Sequence, residues 1–155
     1  MHGATGVRQG LDMSSQVRAT GSLHWSDVSP RTLMTLRVLS AIMLLVMGAI
    51  HLYLVFYGVG GWLGASFVAN AVGALVLAVA IMVLRGRLLS LATVLSLLFM
   101  AGTLLALVLA LTVGLFGIHE ILSYKLVHAT LWVESIGTVI LAVTAALALR
   151  SRRAA

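Results

Sequence analysis

Residues 88–116 read "LLSLATVLSLLFMAGTLLALVLALTVGLF", a run without a single charged side chain. A helix rising ~1.5 Å per residue needs about 20 apolar residues to cross ~30 Å of hydrocarbon, so this stretch is long enough to span a bilayer. Three further runs, at 38–57, 62–84 and 126–149, also reach the length needed to span. Backbone groups in lipid must be satisfied within their own segment, and these runs lack the period-two alternation of a barrel strand, so each is a helix. The connections at 58–61 ("GVGG") and 85–87 ("RGR") are too short for anything but antiparallel neighbours. The expected fold is an all-α membrane protein, a four-helix transmembrane bundle running up-down-up-down.

Composition agrees with this reading. The 155 residues are 61% hydrophobic and 9% charged, where soluble domains are roughly a quarter charged, and the spans leave no room for a separate soluble domain. Absence of cysteine excludes disulfides, Cys-ligated metal, iron–sulfur clusters and a thiol nucleophile. The formal charge of +6 comes from basic residues that flank the apolar runs. They form no patch with interleaved aromatics, so nucleic acid is not an expected partner.

Residues 1–30 are rich in Gly, Ser, Thr, Gln and Arg, the composition of a loosely ordered tail. They lack the basic start, apolar core and small-residue cleavage site of a secretory signal, and Met13 and Met34 leave the true start codon open alongside Met1. The transmembrane domain is expected over 31–150, with a short basic tail at 151–155. "SPRT" at 29–32 holds the only proline, beside a serine able to cap, so the first helix starts there. Arg8, Arg18, Arg31, Arg37, Arg85, Arg87, Arg150, Arg152 and Arg153 fall on one side of the spans and Lys125 alone on the other. That asymmetry predicts a multi-pass protein of the cell membrane with both termini in the cytoplasm. Tyr57, Trp62, Tyr124 and Lys125 then mark the outer interface.

The chemically capable polar residues gather toward that outer leaflet. His51 is six residues inside Tyr57, about 9 Å deep; Asn70 is eight inside Trp62, about 12 Å; Glu134 is nine past Lys125, about 13 Å. His128 lies only about 4–5 Å deep, and His119 with Glu120 sits at or above the end of the third span. Taken singly, each has a plain reading: an interfacial histidine for His51 and His128, a wet loop pair for His119 and Glu120, an interhelical hydrogen bond for Asn70. Glu134, within "LWVESIG" (131–137), costs several kcal/mol at that depth unless it is neutral, paired or facing water. Thr130, Glu134 and Thr138 form one helical stripe, and His128 points about 120° away from it. If the first and last spans are neighbours, His51 and Glu134 meet as a pair, with Asn70 as a third member.

No GxSxG, HExxH, P-loop, dinucleotide fingerprint or CxxCH is present, so no catalytic residue and no cofactor is expected. A haem held by His51 and His128 is disfavoured by their unequal depths, and zinc would need His119 or Glu120 as a further ligand. Small residues Gly48, Gly64, Gly73, Gly102, Gly114 and Gly137, with Ser90, Thr93, Ser96 and Thr103, suit close helix packing in lipid.

At "AGTLLALVLALTVGLFGIHE" (101–120), preceded by "IHLYL" (50–54) and followed by "VESIGTVIL" (133–141), the chain resembles small four-span integral membrane proteins of actinobacteria without an assigned function. The resemblance covers about residues 38–149 and implies the same bundle. Those proteins carry "YR" after the first span and an arginine before the position of Glu120, where this chain has "YGVGGW" (57–62) and "GIHE" (117–120). Two roles follow as expectations. One is an accessory subunit of a membrane assembly, docking through small-residue faces on a protein partner or a second copy. The other is a binder of a proton, cation or small lipophilic ligand at the cluster of His51, Asn70 and Glu134.

Overall fold

The computed structural model describes residues 29–114 and 126–153. Four helices account for nearly all of them: α1 Pro30–Phe56, α2 Gly61–Val83, α3 Gly86–Thr112 and α4 Val127–Arg153. Each is long and apolar enough to cross a membrane. Their outward faces present bare side chains such as Val76, Leu98 and Val139, a surface that lipid accommodates and water does not. The chain is a multi-pass membrane protein of the all-α, four-helix class.

Local chemistry sets the helix ends. Pro30 occupies the first turn, where its missing N–H is no loss, and the Ser29 hydroxyl accepts from the Thr32 N–H at 3.3 Å. Gly58 (φ 108°) and Gly61 (φ 62°) turn the chain between α1 and α2, a backbone region that glycine enters without steric cost. Two boundaries differ from the sequence expectation. The third helix stops at Thr112 rather than 116, because Gly114 (φ 81°) returns its N–H to the Leu109 carbonyl at 2.9 Å, a left-handed C-terminal cap. Gly114 is thus a terminator, not a packing residue. The fourth helix runs through Ala148, Leu149 and Arg150 to Arg153; these are good helix formers, and a cation such as Arg150 suits a helix C-terminus. Part of the expected tail is therefore helical.

The helices close into a ring in chain order: α1 packs on α2 and on α4, α3 packs on α4, and α2 meets α3 along the thinnest seam. Neighbours are antiparallel, as Arg37 with Leu84, Ser40 with Thr144 and Ser90 with Ala148 each join opposite helix ends. One end of the bundle carries Phe56, Tyr57 and Trp62, the other Arg31, Arg37, Arg85, Arg87 and Arg150. We call these the aromatic and arginine ends.

Leu44, Met47, Ala74, Ala78, Ile81, Met100 and Leu141 form the central core. Glycines permit the close contacts. A Cβ on Gly48 would stand 3.0 Å from the Ala74 Cβ, and one on Gly73 would stand 3.1 Å from the Phe99 ring. Arg37 is a structural element rather than a topology mark alone. Its guanidinium donates to the carbonyls of Ile81 (2.8 Å), Met82 (2.7 Å) and Leu84 (3.1 Å), covering the C-terminal end of α2, where orphan carbonyls and the helix dipole favour a cation.

Candidate functional site

In the half of the bundle toward the aromatic end, each helix turns one polar side chain to the same layer. On α1, His51 follows Met47 and Leu44 on the buried face and is 8% exposed. On α2, Asn70 precedes Ala74 and Ala78 at helical spacing, so it shares their inward face. On α3, Thr103 lies one turn beyond Met100; on α4, Glu134 stands between Thr130 and Gly137, and it is 0% exposed.

Hydrogen-bond roles in this layer are lopsided. His51 Nδ1 lies 2.9 Å from the Met47 carbonyl, which can only accept, so Nδ1 carries the proton and Nε2 is left as an acceptor. The ring stands edge-on to Phe67, with centroids 4.9 Å apart and planes at 89°. Thr103 donates to the Met100 carbonyl at 2.8 Å, Thr130 to Leu126 at 2.9 Å and Thr138 to the Glu134 carbonyl at 2.7 Å. Thr138 and Thr103 donate within their own helices and Thr130 to the residue just before α4, and the Thr103 hydroxyl also lies 3.3 Å from Met47 Sδ on α1. What remains is acceptors: Glu134 Oε1, Glu134 Oε2 and Asn70 Oδ1 are buried and without a hydrogen-bond partner among the described residues. The Thr103 hydroxyl sits beside the carboxyl without completing a bond to it.

This corrects the expected His51–Glu134 pair. The two helices are neighbours, as that expectation required, but the imidazole turns to a carbonyl one helical turn back along α1 instead of reaching across. The nearest acceptor for a helical side chain is often its own i−4 carbonyl, and that local bond prevails here. Asn70 likewise bonds neither residue through its carbonyl oxygen. His128 is exposed on the outer side of α4, away from buried Glu134, as its angular offset implied, and so it does not face His51. His119 and Glu120 lie outside the described residues. No three His, Cys, Asp or Glu side chains among the described residues are grouped to hold a metal ion.

Toward the arginine end, sequence reasoning found almost no polar chemistry, whereas Ser40, Ser90, Thr93, Ser96 and Thr144 are all buried there. Thr144 donates to the Ile140 carbonyl (2.8 Å) and so accepts from Ser40 at 3.0 Å, linking α1 to α4, while Ser90 donates to the Ala148 carbonyl at 3.1 Å, linking α3 to α4. Unlike the layer around Glu134, this one leaves no orphan side-chain atom among the described residues. It is helix-to-helix glue, the packing role expected of Ser90, Thr93 and Ser96, whereas nothing in the sequence singles out Ser40 and Thr144.

Comparison of the chain with protein-family models, with curated proteins and with solved structures finds no match.

Proposed function

We propose that this protein binds a small cationic species, a proton or a monovalent cation, within the membrane, with Glu134 as the charge-bearing group and His51 and Asn70 as flanking acceptors. One observation carries the reading: a carboxyl group with no exposure and neither oxygen hydrogen-bonded among the described residues. Such a group is stable in hydrocarbon only when neutralised, by a proton or by a bound cation. The buried side-chain atoms left without a partner among the described residues are all acceptors, which favours a positively charged ligand over an anion. The accessory-subunit reading has less support, since Gly48, Gly73 and Gly137, suited to docking, already face other helices of the bundle. Resemblance to actinobacterial four-span proteins concerns architecture and supplies no reaction. The one-sided arginine distribution supports reading it as a cell-membrane protein with the arginine end in the cytoplasm and the Glu134 layer toward the outer leaflet.

The test is thermal unfolding of the detergent-solubilised protein across protons, sodium, potassium and monovalent soft metal ions. A ligand at about 100 times its Kd stabilises the folded state by ~2.7 kcal/mol. The expected result is a cation-dependent stabilisation of the native chain that Glu134→Gln loses. Identical responses of the two proteins to every cation would overturn the reading.

A further inference from the structure

Two methionine sulfurs, of Met100 and Met47, lie on the side chains packed around the α4 segment that carries the orphan carboxyl, and His51 stands one turn beyond Met47. Met43, Met47 and His51 recur every fourth residue along α1, on one helix face. Met47 is fully buried, and so is Met100 across the bundle on α3. The Met100 thioether lies against the backbone of α4 at Gly137, where a Cβ would stand 2.9 Å from Met100 Cε and 3.4 Å from Sδ. Glu134 is one turn from that glycine on the same helix. Thr103 ties the group together: its hydroxyl is 3.3 Å from Met47 Sδ and sits beside the Glu134 carboxyl.

We propose that Met47 and Met100, with His51 and Glu134, form a binding site for a soft monovalent metal ion of the Cu(I) and Ag(I) class. This rests on the cation reading above and names its ligand. Thioether sulfur is a soft donor that selects Cu(I) over alkali and alkaline-earth ions, and imidazole nitrogen suits copper as well. Metal-bound histidines ordinarily donate their second ring N–H to a carbonyl or carboxylate, which fixes the tautomer and aims the other nitrogen at the ion. His51 has the first half of that arrangement, Nδ1–H on the Met47 carbonyl, which leaves Nε2 free to take an ion. A single carboxylate neutralises a single positive charge, so a monovalent ion leaves no net charge in the hydrocarbon, whereas a divalent one would. Divalent ions that require three His, Cys, Asp or Glu ligands find no such set among the described residues. A core that needed only filling is served by leucine, whose rotamers are better defined; methionine adds the polarisable sulfur.

The experiment uses untagged full-length protein in detergent and Ag(I), which does not change oxidation state during the titration. Affinity is measured by calorimetry for the native chain, Met47→Leu, Met100→Leu, the double variant, and Met34→Leu at the exposed arginine end. Leucine conserves volume, so the variants fold, and circular dichroism checks that they do. One equivalent of Ag(I) is expected to bind, at least tenfold more weakly in either core variant and unchanged in Met34→Leu. No stoichiometric binding, or binding that the core variants do not weaken, would overturn the site. If Ag(I) fails while sodium, potassium or protons still stabilise the native chain and not Glu134→Gln, the soft-metal assignment falls and the cation reading stands. If Ag(I) binds through the methionines and Glu134→Gln binds and is stabilised equally, Glu134 is not the charge-bearing group and the broader reading falls with the four-residue site.

Discussion

At the scale of single residues, Glu134 is where the fold forgoes stability. A buried polar group left without a partner costs roughly 1–3 kcal/mol, and this side chain has two such atoms. Glu134→Met, similar in length and without either oxygen, should therefore raise the stability of the cation-free protein by about 1–3 kcal/mol. Equilibrium unfolding in mixed detergent micelles measures this directly, and a loss of stability would mean that the carboxyl has a partner in the absence of added cation. The sequence was informative here for a simple reason: a carboxylate inside an apolar run is expensive wherever it points, so the linear pattern alone singles out Glu134. Its surroundings were much harder to read. Whether His51 reaches across to α4 or back to its own helix depends on rotamer and register, which a linear pattern does not encode. Met47 and Met100 count as apolar in every hydropathy measure, so a donor role for their sulfurs emerges only when Thr103, Gly137 and Glu134 are seen beside them.

Among the helices, close contact decides which small residues are replaceable. Gly137 and Gly102 look alike in sequence, each a glycine in the middle of a span, yet a Cβ at Gly137 would press on the Met100 methyl at 2.9 Å and one at Gly102 would meet nothing within 4 Å. Gly137→Ala should cost about 1 kcal/mol, the low end of overpacking, because the atom it meets is the far end of the flexible Met100 side chain. Gly102→Ala should gain about 0.4–1 kcal/mol by restricting the unfolded chain. Parallel thermal melts check the pair, and equal effects would show that α3 and α4 do not approach as described. The existence and order of the four elements were legible because hydropathy and length alone require them, and Ser29 with Pro30 marked the first start correctly. The end of α3 was missed by a few residues because Leu115 and Phe116 are as apolar as the helix itself, and only the φ of Gly114 reveals the stop. Ser40 and Thr144 were invisible for the complementary reason, since hydroxyls bonded to backbone leave the hydropathy of a span nearly unchanged.

For the molecule as a whole, the one-sided placement of arginine predicts orientation. Reporter fusions after Arg153 and within residues 1–30 should report cytoplasm, and an insertion at Gly60 should report the opposite side; an external signal from the C-terminal fusion would overturn this assignment. Arg37 bears on how the protein reaches that state. Its position, seven residues inside the start of α1, leaves a formal charge at the edge of the hydrocarbon, and the carbonyls that accept it belong to the end of α2 and its C-cap. The first span is thus incompletely solvated by lipid until the second arrives. Insertion during synthesis is then most favourable for the two together, as a preformed hairpin released into the bilayer in one step, with the later spans added to a pair already locked at its base.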